Sequence, residues 1–401
     1  MARTSGPYTV LTLVSLAHAT THMYSVFLPL TFPFIIQEFR LDYTTLGAMM
    51  GVATLVGGLL QLVFGYIPQY ISRKALIGGG NFLLGMSTIW GSVAPNFAHY
   101  AAARWMAAIV TSPQHPVGYS MIANRFTRSL RGLALAVNYA GGNAGTLIVP
   151  FIAALLIGAI GWRQSMLIFG IPQILVGTLV VALIRDPAAT EQEKAETGAK
   201  FKAMLVETRS LLRNRTFALL MAASLVSAGG RGLGIVVNFI PPYLSDPVKG
   251  LGLSSQQVGV LYTLLLLGSI LGPLALGRLS DHFGLRKPVV IVTYLASAVG
   301  VTALIALPND NWALATMIFL FGFAVFSEAS LVQAFMSDMA RAGSRDIVFG
   351  IYFAGGFGVS SLWVVFQGWL VDHYGFPAMF VAMAVSYVLA ALLCLGTREP
   401  R

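Results

Sequence analysis

Gly65-Tyr-Ile-Pro-Gln-Tyr-Ile-Ser-Arg73-Lys74 and Gly277-Arg-Leu-Ser-Asp-His-Phe-Gly-Leu-Arg286-Lys287 are two versions of one device, half a chain apart. In each, a long apolar segment ends in glycine, a short basic turn follows, and another long apolar segment begins. A chain that repeats this device inside an apolar composition is built from two similar halves. Around these turns the 401 residues are 56% hydrophobic and only 10% charged, with a mean hydropathy of +0.76. A soluble domain carries about 25% charged residues.

Apolar stretches long enough to cross a bilayer core recur along the chain. In lipid every backbone polar group needs an internal partner, and segments this long and uniform are helices rather than alternating barrel strands. The reading gives twelve spans, at 8–34, 44–67, 75–94, 99–122, 132–159 and 163–184, then 216–243, 256–279, 287–307, 312–337, 347–371 and 376–396. The fold class is therefore an all-α membrane protein, with twelve transmembrane helices in two pseudo-symmetric lobes of six. The predicted lobes are 1–184 and 216–401, joined by a charged cytoplasmic linker, 185–215. The first span, with two histidines and two prolines, is read as a retained helix, not as a cleaved signal.

The net charge of +10 is a topology signal. With the N-terminus inside, the 25 Lys and Arg fall in cytoplasmic loops and tails except Arg40, Arg163 and Lys249 outside and Arg104 and Arg231 within spans. That bias puts both termini in the cytoplasm, and nucleic acid is not implied. One cysteine, Cys394, excludes an intrachain disulfide. No phosphate-binding loop of the Walker type is present, so no nucleotide cofactor is expected. Nor does any nucleophile–base set suggest an enzyme.

The two basic turns resemble the signature of the major facilitator superfamily, G-x-x-x-D-R-x-G-R-R/K, between helices 2 and 3 and again between helices 8 and 9. Gly277, Asp281, Gly284 and Arg286 match it; in the first copy Gly65 and Arg73 match while Gln69 replaces the acid and Ser72 a glycine. The resemblance covers the whole chain and implies alternating access, usually by a monomer. It also implies that Asp281 helps latch one access state and that the uncharged Gln69 makes the first latch weaker. His18-xxx-His22, Ser112-Pro-Gln-His115-Pro116 and Gly141-Gly-Asn143-Ala-Gly145 further resemble the fosmidomycin-resistance branch. His22 and Val117 stand where that branch has acids.

Ionisable side chains deep in a bilayer are costly and face an internal cavity. Here they are His18, His22, Arg104, His115, Arg231 and Glu328, on spans 1, 4, 7 and 10. In proteins of the resembled fold those helices line the central cavity, so all six are candidate substrate-binding residues. His18 and His22 lie one turn apart on one face. Without a nearby cysteine or acid they make a poor metal pair, and no metal is expected. Substrate contact, proton sensing or a structural hydrogen bond remain as their roles. His115 sits between Pro113 and Pro116, where it either faces the cavity or caps a kink. Arg231 lies among four glycines in Ser227-Ala-Gly-Gly-Arg231-Gly-Leu-Gly234, the pattern of a bent or unwound helix. It either contacts substrate or pairs permanently with Glu328. Glu328 and His22 are the candidates for proton coupling.

This inventory is net positive, which suits a small organic anion or an anionic amphiphile. The expected function is a secondary active transporter in the inner (cytoplasmic) membrane, coupled to protons, with export favoured. Organic-acid uptake is the alternative. A carrier of neutral drugs or sugars is the other, relying on Asn138, Asn143, Asn238, Gln333, Gln367 and aromatics such as Trp363.

Overall fold

The computed structural model describes residues 5–64, 70–185, 211, 213–306, 311–339 and 345–399. Gly65, Gln69 and most of the 185–215 linker lie outside them. Among the described residues the chain is helical without a strand. In the first half, α1 is Pro7–Phe39 and α2 is Tyr43–Phe64. α3 opens as a π turn, Ala75–Gly79, and continues as Gly80–Ser92. α4 comes in two pieces, Phe97–Thr111 and Gln114–Ala123, broken at Pro113, whose ring cannot continue the hydrogen-bond ladder. α5 and α6 are the two parts of Arg128–Leu183, parted by Gly161 at φ 79°, ψ 165°.

In the second half, α7 runs from Arg215 to Ser245 with a break described below. α8 is Ser255–Phe283 and α9 is Lys287–Ala306. α10 is Asn311–Val325 plus Ser327–Asp338, and α11 and α12 are the parts of Arg345–Leu395 parted by Gly375 at φ 80°, ψ 174°. These twelve helices are those expected from hydropathy. Both Gly161 and Gly375 sit in a backbone region that side chains avoid, so glycine turns the chain at the same point of each half.

Contacts divide the chain into two compact units, one of Met1–Phe34 and Val52–Ala199, the other of Ile35–Gly51 and Lys200–Arg401. Within the first unit, Val10, Val14, Ala17, Ile77, Val117, Met121 and Val180 form a buried apolar cluster of α1, α3, α4 and α6. Small residues let the helices approach closely. A Cβ on Gly85 of α3 would stand 2.6 Å from the Gly170 carbonyl of α6. Within the second unit, Gly268 of α8 packs so tightly that a Cβ would stand 2.5 Å from the Phe319 carbonyl of α10, and Gly272 packs still closer on Phe323. Large apolar side chains such as Val299 and Leu362, each 70% exposed, cover the outer faces. In a bilayer they meet lipid.

Candidate functional site

In the first unit, α1 and α4 bring three histidines together. The His18 ring lies edge-on to His22 at 4.4 Å and to His115 at 5.1 Å between centroids, and His22 and His115 are 6.0 Å apart. The proline break in α4 turns His115 toward α1. His18 is fully buried, with Nδ1 2.9 Å from the Asn138 carbonyl oxygen of α5. A carbonyl only accepts, so Nδ1 carries the proton and Nε2 is left as a buried acceptor with no partner. Gly142 makes room for this ring, because a Cβ there would sit 2.8 Å from His18 Cε1.

Arg104 of α4 places its guanidinium 5.7 Å from the centre of the Tyr24 ring on α1, and its Nε is buried without a hydrogen bond. Around these groups runs a polar chain that the sequence reading did not single out. The Thr20 hydroxyl donates to Asn81 Oδ1 at 2.8 Å, and Asn81 Nδ2 reaches Gln114 Oε1 at 3.4 Å, linking α1, α3 and α4.

In the second unit, α7 is helical over Arg215–Ser227, tightens to a 3-10 turn at Ala228–Gly230, leaves helical geometry at Arg231 and resumes through a π turn, Gly232–Val236, into Val237–Ser245. The break frees carbonyls that a membrane interior leaves without water. Side chains of α11 and α12 take them: Gln367 Nε2 donates to the Gly229 oxygen at 2.6 Å, Trp363 Nε1 to Leu225 at 3.2 Å, and the Tyr387 hydroxyl to Gly230. The glycines also give room, since a Cβ at Gly232 would stand 2.7 Å from Phe326.

Arg231 donates Nη2 to the Ser224 hydroxyl at 2.8 Å and to the Ser224 carbonyl at 3.1 Å, and lies 5.5 Å from the centre of the Tyr352 ring. Its Nε is buried and unpaired. Glu328 begins the second piece of α10, is 2% exposed, and has Oε2 buried without a partner. Ser227 stands beside it, and Arg231 is near enough to act on it through charge. Among the described residues no direct ion pair joins Arg231 to Glu328, whereas Lys249 pairs with Asp372 and Arg286 with Asp281 and Asp338. The permanent pair allowed by the sequence is thus replaced by a serine clamp on the arginine.

The second basic turn is a charged knot. Arg286 binds Asp338 at 2.8 Å through Nε, and Asp281 and Ser280 through Nη1. Burial opposes its charge, yet the hydrogen bonds and charges of Asp338 and Asp281 outweigh burial and hold the guanidinium above its ordinary value. Lys287 donates Nζ to the carbonyls of Leu395 and Thr397. Gly277 is open, with nothing near a built Cβ, and Gly284 ends α8 in a left-handed turn. Arg73, in the first copy, sits at the entry to α3.

Twelve helices, with ionisable side chains set within α1, α4, α7 and α10, define a polytopic membrane protein. The family model of the Major Facilitator Superfamily matches residues 14–247 and 232–401, and the chain belongs to that superfamily of transporters, which are not enzymes. It is similar to the sialic acid transporter NanX of Escherichia coli, 24% identical over 360 residues that span 89% of this chain and 85% of that one. It is also similar to the fosmidomycin resistance protein of Escherichia coli, 24% identical over 393 residues, 98% of this chain and 93% of that one. Among solved structures the nucleoside transporter NupG matches with a TM-score of 0.80 at 13% identity, covering 96% of this chain and 99% of NupG. That likeness shows the fold.

Proposed function

We propose that this chain is a proton-coupled secondary transporter that moves a small organic anion, or an amphiphile with an anionic group, by alternating access. The observation that carries the reading is that Arg104 and Arg231 are both set within spans with no carboxylate ion-paired to them among the described residues. A guanidinium in that setting needs an anion, and a carboxylate or phosphate offers the matching acceptors. His18, His22 and His115 extend the polar lining in the first unit. Glu328, and with it His22, exchanges protons with the gradient.

Three of the six side chains named for a neutral-solute carrier are committed elsewhere. Gln367 and Trp363 hold the break in α7, and Asn238 donates to the Gly234 carbonyl at 2.5 Å. Similarity to a fosmidomycin resistance protein favours export, and similarity to a sialic acid transporter favours an organic acid as cargo. The lobes are proposed as 1–184 and 216–401 about the 185–215 linker, in a monomer of the inner membrane with both termini in the cytoplasm. Gly277, Asp281 and Arg286 act in the second unit's conformational turn, with Gly65, Gln69 and Arg73 in the first.

Ligand-induced stabilisation of the purified protein tests the reading. A panel of organic acids is expected to raise the melting temperature of the wild type and not of Arg231→Gln. Stabilisation by neutral solutes alone, equal in both proteins, would overturn it.

A further inference from the structure

The histidine cluster has more order than a row of substrate contacts requires. One ligand nitrogen from each of His18, His22 and His115 lies within 4.8 Å of the other two. Neither His22 nor His115 makes a side-chain hydrogen bond among the described residues, so hydrogen bonds between the rings do not hold them together. The Asn138 carbonyl fixes the tautomer of His18 and leaves its Nε2 as a buried lone pair without a partner. A metal-binding histidine commonly donates its other ring nitrogen in this way to a backbone carbonyl, which orients the ring and raises its basicity. Gly142 completes the seat, since any side chain there would push the ring away.

We propose that His18, His22 and His115 form a three-histidine site for a divalent transition-metal ion. Three neutral imidazoles with no thiolate or carboxylate suit Zn, Cu, Ni or Co and disfavour the hard cations Mg and Ca. Metal–nitrogen bonds of about 2.0–2.1 Å in a tetrahedron bring the nitrogens to about 3.3 Å from one another, a closing of about 1.5 Å that small ring rotations supply. The fourth position stays open to water or to an anionic group. On sequence alone His18 and His22 were only a pair; the third ligand comes from α4, which the break at Pro113 turns toward them. The site does not depend on the anion reading; it gives the His22 lone pair to the metal and leaves proton exchange to Glu328, and its test involves no transport.

The full chain, purified in detergent and stripped with a chelator, is titrated with Co2+ while visible absorption is followed. Zn2+ binding is measured in parallel by equilibrium dialysis. The expected result is about one Co2+ per chain with the intense bands of a four-coordinate ion, displaced by Zn2+. His22→Gln and His115→Gln each lose that signal. The combined variant His99→Gln, His282→Gln, His373→Gln, which removes the exposed histidines, keeps it. Gly142→Ala, with all three ligands retained, weakens binding by about tenfold. Absence of stoichiometric binding to the wild type, or binding that survives His22→Gln and vanishes with the exposed histidines, overturns the proposal.

Discussion

Arg231 and Glu328 share one unit and one neighbourhood, yet each keeps an unpaired buried atom instead of closing on the other. A carboxylate neutralised by a fixed ion pair would have little reason to exchange protons, whereas one flanked by Ser227 and an arginine held by Ser224 can change state as a ligand arrives or leaves. Glu328→Gln is therefore expected to abolish uphill accumulation driven by a proton gradient. It should leave downhill exchange of unlabelled for labelled substrate within about threefold of the wild type. Loss of both activities together in a protein that still folds would assign Glu328 to binding, not coupling. The six ionisable residues within the spans were legible in the sequence because charge inside an apolar span is conspicuous. Their partners were not. That Ser224 and Tyr352 hold Arg231, or that His115 closes on His18, depends on the rotation of each helix about its axis, which an apolar segment facing both lipid and protein does not encode.

At the scale of the helix, the glycines divide by what surrounds them. Gly272 of α8 lies against the Phe323 backbone, whereas nothing stands within reach of a Cβ on Gly277 five residues on. Gly272→Val is expected to lower stability by about 1–3 kcal/mol through overpacking, and Gly277→Ala to change it by less than about 0.5 kcal/mol. Thermal unfolding in one detergent compares them, and equal losses would contradict the packing geometry. The break in α7 is a second case. The run of glycines around Arg231 announced it, but Gln367 and Tyr387, which satisfy the freed carbonyls, lie more than a third of the chain away. Gln367→Leu leaves the Gly229 carbonyl buried without a donor, at an expected cost of about 1–3 kcal/mol. Hydrogen exchange is the direct check: faster exchange should appear first in 228–236. No local change there would mean that the hydrogen bond is dispensable.

For the whole molecule, hydropathy and the basic turns made all twelve helices readable, because the bilayer forces long, internally bonded segments. Contacts distant in sequence were not readable. In the second unit the start of α2 is tied to residues far along the chain: Asp372 accepts from the backbone of Tyr43 and Thr44, Lys249 pairs with Asp372, and the Tyr43 hydroxyl donates to Asp246 at 2.6 Å. Burial alone would raise the Asp246 carboxyl, but hydrogen bonds from Lys249, Tyr43 and Val248, with the Lys249 charge, outweigh it and hold the group below the ordinary aspartate range. A depressed carboxylate contributes stability that is fully present above its unfolded value, about 3.9, and is lost as pH falls through the lower folded value. The difference in melting temperature between wild type and Asp246→Asn should thus be constant from about pH 5 to 7 and shrink below about pH 4. A difference independent of pH would contradict this. The decisive measurement is uptake of a panel of labelled organic acids and neutral solutes into proteoliposomes, with and without a proton gradient, for wild type and Arg231→Ala. Gradient-dependent flux of an organic acid in the wild type, reduced by at least about tenfold in Arg231→Ala, is the predicted result. Flux of neutral or cationic solutes instead, untouched by the substitution, would contradict it.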